Sequence, residues 1–238
     1  MSAADSTCWT VIVAAAHGGA AGRDDFARRY AGPIRAYLAA RWRGTKRLAE
    51  QDDAAQEVFV ECFRAGGALA RVETGRPGGF RAFLYGVVRH VALRFETRGG
   101  AAAPARAAGA GDAASAAIDL DALPADDPTL SRAFDRAWVQ ALLAQAVETQ
   151  ESEARLRGAA AVRRVALLRR RFADDLPIRA IAREWGVDAA VVHHEYARAR
   201  DEFAAALKQV VRFHLAGSDA TAGAVERQCA ELASLLEE

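Results

Sequence analysis

The chain has 238 residues, enough for one large domain or two small ones, and its formal charge of +1 leaves bulk charge silent about partners. Cys8, Cys62 and Cys229 lie far apart with no Cys-x-x-Cys or Cys/His cluster, which argues against a disulfide framework and against a zinc site. The apolar run from Trp9 to Ala16 is too short to span a membrane and has no basic flank before it, so no signal peptide and a cytoplasmic protein are expected.

Sustained apolar/polar alternation is absent and apolar residues recur at spacings of three and four, so the expected fold is all-α. A first helix is expected from Ser6 to about His17, ended by Gly18, Gly19 and Gly22. A second, from about Asp24 to Arg43, should bury Phe26, Tyr30, Ile34, Tyr37, Leu38 and Trp42, with Pro33 as a kink or a start. After a turn at 44–48 comes AEQDDAAQEVFVECFR (49–64), where Asp53, Glu57 and Glu61 form a row four apart beside apolar rows of Phe59 and Phe63 and of Val58 and Cys62. Stacked like charges mildly destabilise a helix, so a partner surface explains that row better than a solvated face does. Residues 65–79 read as a glycine-rich loop.

The next helix places Phe80, Phe83, Leu84, Val87, Val88, Val91 and Phe95 on one face. Its other side carries Arg81, Tyr85 and Arg89, flanked by His90, Arg94 and Arg98. Cations interleaved with aromatics suit single-stranded nucleic acid, whose backbone wants charge and whose unstacked bases want π-faces. Residues 99–127 are Ala/Gly/Asp/Pro-rich and read as a flexible linker. A helix from Asp127–Pro128 to about Glu148 should then bury Phe134, Trp138, Leu142 and Leu143, and another from about Glu151 to Phe172 should bury Leu156, Val165, Leu168 and Phe172.

LPIRAIAREWGVDAAVVHHEYARAR (176–200) carries the strongest signal. Pro177 suits a helix start, and Ile178, Ile181 and Trp185 recur on one face. Gly186 permits a left-handed stop, and Asp188 can cap a second helix that places Val191, Val192, Tyr196 and Ala199 together. Helix, tight turn, helix is the unit that lays its second helix in the DNA major groove. A plain αα-hairpin is the alternative, but the outer face carries His193, His194, Arg198 and Arg200, and from Arg163 to Arg200 nine arginines face five acids. The second helix is expected to continue towards His214, and a last short helix presents Val225, Cys229, Leu232, Leu235 and Leu236, either capping the second bundle or docking elsewhere. No phosphate loop, nucleophile elbow, His-Glu-x-x-His or dinucleotide fingerprint occurs, and no Glu has a His three residues on. Neither catalysis nor a cofactor or metal is expected.

With these segments in place, the chain resembles the extracytoplasmic-function sigma factors over about 25–98 and 133–211. DDAAQEVFVECFR (52–64) is similar to the family's acidic helix, FRAFLYGVVRHVALRFETR (80–98) to its promoter-melting segment, and 176–200 to its upstream-element reader. The resemblance implies two small helical bundles, sigma-2-like (1–98) and sigma-4-like (131–216), joined by a flexible linker (99–130) and followed by a helical extension (217–238). It implies polymerase binding by Asp52, Asp53, Gln56, Glu57, Phe59 and Phe63 on the β′ clamp helices, with the β flap as a further contact. Minus-ten promoter DNA would be held by Arg81, Tyr85, Arg89, His90, Arg94 and Arg98, and the minus-thirty-five element by Arg179, Ala190, His193, His194 and Arg198. Core RNA polymerase and promoter DNA are the implied partners, with room for an anti-sigma factor and none for a membrane. Departures from the family pattern include Phe83 where Trp is common, His193–His194–Glu195 where Lys/Arg-Ser-Arg is usual, and a Glu195 that would favour a cytosine N4 donor if it reaches the groove. A one-component helix-turn-helix regulator with a ligand-sensing N-terminal bundle, and an adaptor of two helical bundles, are the alternatives.

Overall fold

The computed structural model describes residues 20–64, 66–69, 78–98, 127–215 and 221–237; the expected helix at 6–17 and most of the linker lie outside them. Among the described residues the regular structure is entirely helical. In chain order the helices are α1 (Ala20–Arg41), α2 (Gln51–Phe63), α3 (Gly79–Arg98), α4 (Pro128–Arg157), α5 (Ala159–Phe172), α6 (Ile178–Trp185), α7 (Ala189–His214) and α8 (Ala222–Glu237), with a 3₁₀ turn at Lys46–Glu50. None is long and apolar enough to cross a membrane.

Local chemistry sets most of these boundaries. α1 runs through a buried Pro33, surrendering one backbone hydrogen bond without ending. α4 is capped by Asp127, whose side chain accepts from the Thr129 amide at 2.8 Å, and Pro128 stands where its missing N–H is harmless. The expected break near residues 149–150 does not occur. The segment there consists of good helix formers bridged by the ion pairs Glu151–Arg155 and Glu153–Arg157, and the chain turns only at Gly158. Gly158 has φ 95° and ψ −174°, a region open in practice to glycine alone. Thirty residues of α4 make a rod roughly 45 Å long.

That length decides the packing. The larger core gathers Tyr30, Ile34 and Leu38 of α1 with Trp42 just after it, Val58 and Cys62 of α2, and Phe80, Leu84 and Val88 of α3. The same core also takes in Phe134, Trp138 and Leu142 of α4, Val210 and Val211 of α7, and Val225 and Leu232 of α8. Tyr30 stacks on Trp138 with ring centroids 5.5 Å apart, and Phe80 closes on Tyr30 at 5.0 Å. A smaller core of Leu167, Ile181, Ala182 and Val192 sits under α5, α6 and the start of α7. The cores are therefore not divided at the linker as expected: the first half of α4 and the last half of α7 belong with the N-terminal helices. Each large apolar side chain buried there is worth about 1.5–3 kcal/mol, enough to draw the long helices across.

Three expected core residues face outward. Leu156, in the last turn of α4, is 90% exposed and Phe172, the last residue of α5, is 69% exposed; α5 buries Ala161 and Leu167 instead. Val191 is 55% exposed beside the buried Val192. α8 lays Val225 and Leu232 into the larger core with Cys229 packed against it, so it caps α4 and α7.

Candidate nucleic-acid interface

The helix-turn-helix segment is built from short-range rules. Gly186 takes the left-handed conformation, φ 63° and ψ 34°. Its N–H bonds the Arg183 carbonyl at 3.2 Å while the Val187 N–H reaches Ala182 at 3.1 Å, which satisfies two carbonyls at the end of α6. Asp188 then accepts from the Ala190 amide at 2.6 Å and starts α7. Ile181, Ala182 and Val192 lock the two helices over Leu167, and the Arg163 guanidinium lies 4.6 Å above the Trp185 ring.

The outer surface of this unit carries Ala190, His193, His194 and Arg198 on α7 and Arg179 and Arg183 on α6, all exposed. Arg179 and Arg183 have no ion-pair partner among the described residues. Arg198 has only a long contact to Glu195, at 3.7 Å. Glu195 is not presented outward as a base reader. Arg164 of α5 holds it at 3.2 Å and grips Glu202 at 2.7 Å. With its side chain only 12% exposed, Arg164 clamps α5 to α7, and its hydrogen bonds to Glu202 raise its already high pKa.

The α3 residues expected to hold opened DNA are largely engaged within the molecule. Arg81 pairs with Asp135 of α4, its Nε 2.7 Å from Oδ1. The Tyr85 ring meets Phe134 edge-on at 5.2 Å and Tyr37 at 5.5 Å, and the Arg89 guanidinium lies 5.7 Å over it. Arg94 reaches Glu57 at 3.3 Å and Glu61 at 3.4 Å. His90 is partly buried, and burial together with Arg94 lowers its pKa. Arg98 ends the helix.

The acidic row of α2 splits accordingly. Glu61 is buried and bound to Arg64 at 2.8 Å, whereas Glu57, its side chain still 31% exposed, lies 3.3 Å from Arg94. Asp52, Asp53 and Gln56 are exposed, with Asp52 3.1 Å from Arg35. Phe59 and Phe63 pack on the larger core around Phe26 and shape the helix. Val60, 49% exposed one turn beyond Gln56, extends the outward face with an apolar end. Its i+4 spacing from Gln56 was the available signal for it. Asp135 and Arg164 had none, since their partners lie far away in sequence.

No family model matches the chain, and no curated protein does. Among the described residues no group of three or more His, Cys, Asp or Glu side chains is placed to hold a metal ion.

Proposed function

We propose that the chain is a sigma-type transcription initiation factor of the cytoplasm, working without catalysis or a cofactor. The observation that carries this reading is the helix-turn-helix with its outward His193, His194 and Arg198 and with Arg179 and Arg183, which have no ion-pair partner among the described residues. Cations without acidic partners on such a unit are what phosphate and base edges require. In this reading α7 enters the major groove of the upstream promoter element and Arg179 contacts phosphate. Asp52, Asp53, Gln56 and Val60 form the face for a basic, partly apolar polymerase surface, the clamp helices being the implied partner. The basic side of α3 takes the opened strand, and the β flap and an anti-sigma factor are further contacts that the resemblance implies.

A second reading is favoured by one observation, the continuous core from α1 through α4 to α8. A one-piece body of this kind suits a one-component helix-turn-helix regulator. Runoff transcription with purified core polymerase and fragmented genomic DNA separates the two. Discrete transcripts that depend on the protein, lost in the Asp52→Lys/Asp53→Lys variant, uphold the initiation role. Duplex DNA binding with no polymerase binding overturns it in favour of the regulator. The pair Asp52 and Asp53 disturbs the fold less than Glu57 would, because Asp52 gives up only an exposed contact with Arg35 whereas changing Glu57 would release the half-buried Arg94.

A further inference from the structure

We infer that the opening turns of α4 occupy the nucleic-acid face of α3 by standing in for the strand itself, so that the conformation described here is masked against single-stranded DNA. The inference rests on the proposed role of α3 and names how that face is regulated. A single strand offers such a face two things, a phosphate anion for a guanidinium and a flat base for an aromatic ring. Both are already supplied from within. The Asp135 carboxylate lies on Arg81, with Nε–Oδ1 2.7 Å, and Asp135 is the more enclosed partner, its side chain 14% exposed against 39% for Arg81. Ser131, one turn earlier, lies 3.4 Å from the second oxygen of Asp135. Phe134 takes the aromatic contact with Tyr85 at 5.2 Å. Adjacent residues of α4 thus meet side chains one turn apart on α3, Asp135 on the charge and Phe134 on the ring. Binding a strand requires Asp135 to leave Arg81 and Phe134 to leave Tyr85, and that displacement is the control point.

The test uses the full chain and a short fluorescein-labelled single strand of random sequence, titrated by fluorescence anisotropy over a range of salt. Asp135→Asn keeps the shape of the side chain and frees the Arg81 charge. Affinity should rise roughly five- to ten-fold at low salt, and the slope of log affinity against log salt should steepen by about 0.7, one added phosphate contact. Arg81→Gln breaks the same ion pair without freeing a cation and should show no gain, and the double variant should fall back to the unmodified chain. If D135N and R81Q change binding alike, or neither changes it, the contact is structural only and the proposal fails. Should D135N not fold, Phe134→Leu, which keeps an apolar group in the core and removes the ring from Tyr85, should raise affinity without steepening the salt slope, since Asp135 stays on Arg81. Transcription separates this inference from the one beneath it. A chain that directs initiation but whose D135N variant holds the strand no better loses the masking and keeps the initiation role. A D135N gain without polymerase binding keeps the masked surface and loses that role.

Discussion

His214 makes the stability of this protein depend on pH in a way that can be worked out beforehand. It lies in the larger core near the end of α7, with Nδ1 2.8 Å from the Val210 carbonyl and Nε2 2.9 Å from the Tyr30 hydroxyl. The carbonyl can only accept, so Nδ1 carries the proton and Nε2 accepts from Tyr30. The ring is therefore held neutral. Burial lowers its pKa from 6.5 to about 4, and the nearby Arg29 acts in the same direction. The unfolded chain protonates this histidine below its ordinary value whereas the folded chain resists, so the unfolded state binds more protons in between. Stability from this group is fully present above 6.5 and is lost as pH falls towards about 4. At 1.36 kcal/mol per unit the loss is about 2 kcal/mol at pH 5 and about 3 kcal/mol below both values. Urea denaturation followed by tryptophan fluorescence between pH 7.5 and 4.5 measures it, with Tyr30→Phe/His214→Leu as the reference chain that removes both partners together. The difference in unfolding free energy between the two chains should shrink by these amounts on acidification. A difference that stays constant across that range would refute the reasoning.

Three further outcomes follow from particular contacts. Gly186→Ala should destabilise by about 1 kcal/mol in thermal unfolding, the price of a left-handed alanine, because the added Cβ meets nothing within 4 Å. Arg164→Met leaves Glu195 and Glu202 without their shared cation and should lower the urea midpoint by the equivalent of about 1–3 kcal/mol, most of it recovered when Glu202 is also changed to Gln. Arg198→Ala should weaken promoter binding by about 1–3 kcal/mol and relax sequence preference at one position, read by competition binding against a set of single-base variants; a uniform loss at every position would make it a phosphate contact instead.

How much of this was legible beforehand varies with the range of the interaction. The turn of the helix-turn-helix could be read because Pro177, Gly186 and Asp188 act on backbone atoms within a few residues of themselves. Their signals survive in one dimension. The position of α1 and the apolar side of α3 could be read for the same reason, since periodicity is local. The start of α5 was misplaced because the stretch around Gln150 is polar enough to resemble a loop, although its i,i+4 ion pairs sustain the helix to Gly158. The state of the basic and acidic faces could not be read at all. Arg81 meets Asp135 across 54 positions and Arg94 meets Glu57 across 37, and nothing in the neighbourhood of either residue marks it as taken.

Sequence alone determined that the chain is helical, where the turn between α6 and α7 falls, and which helices carry charge beside aromatic rings. Tertiary structure decided which of those charges remain available. It placed half of α4 and the end of α7 in the N-terminal core, turned Glu57 and Glu61 onto Arg94, and set Asp135 on Arg81, while Arg179 and Arg183 of α6 have no acidic partner among the described residues. The reason is physical: propensity, capping and periodicity act over one or two turns, whereas pairing of buried charge depends on which surfaces a long helix brings together, and that is fixed only when the whole core closes.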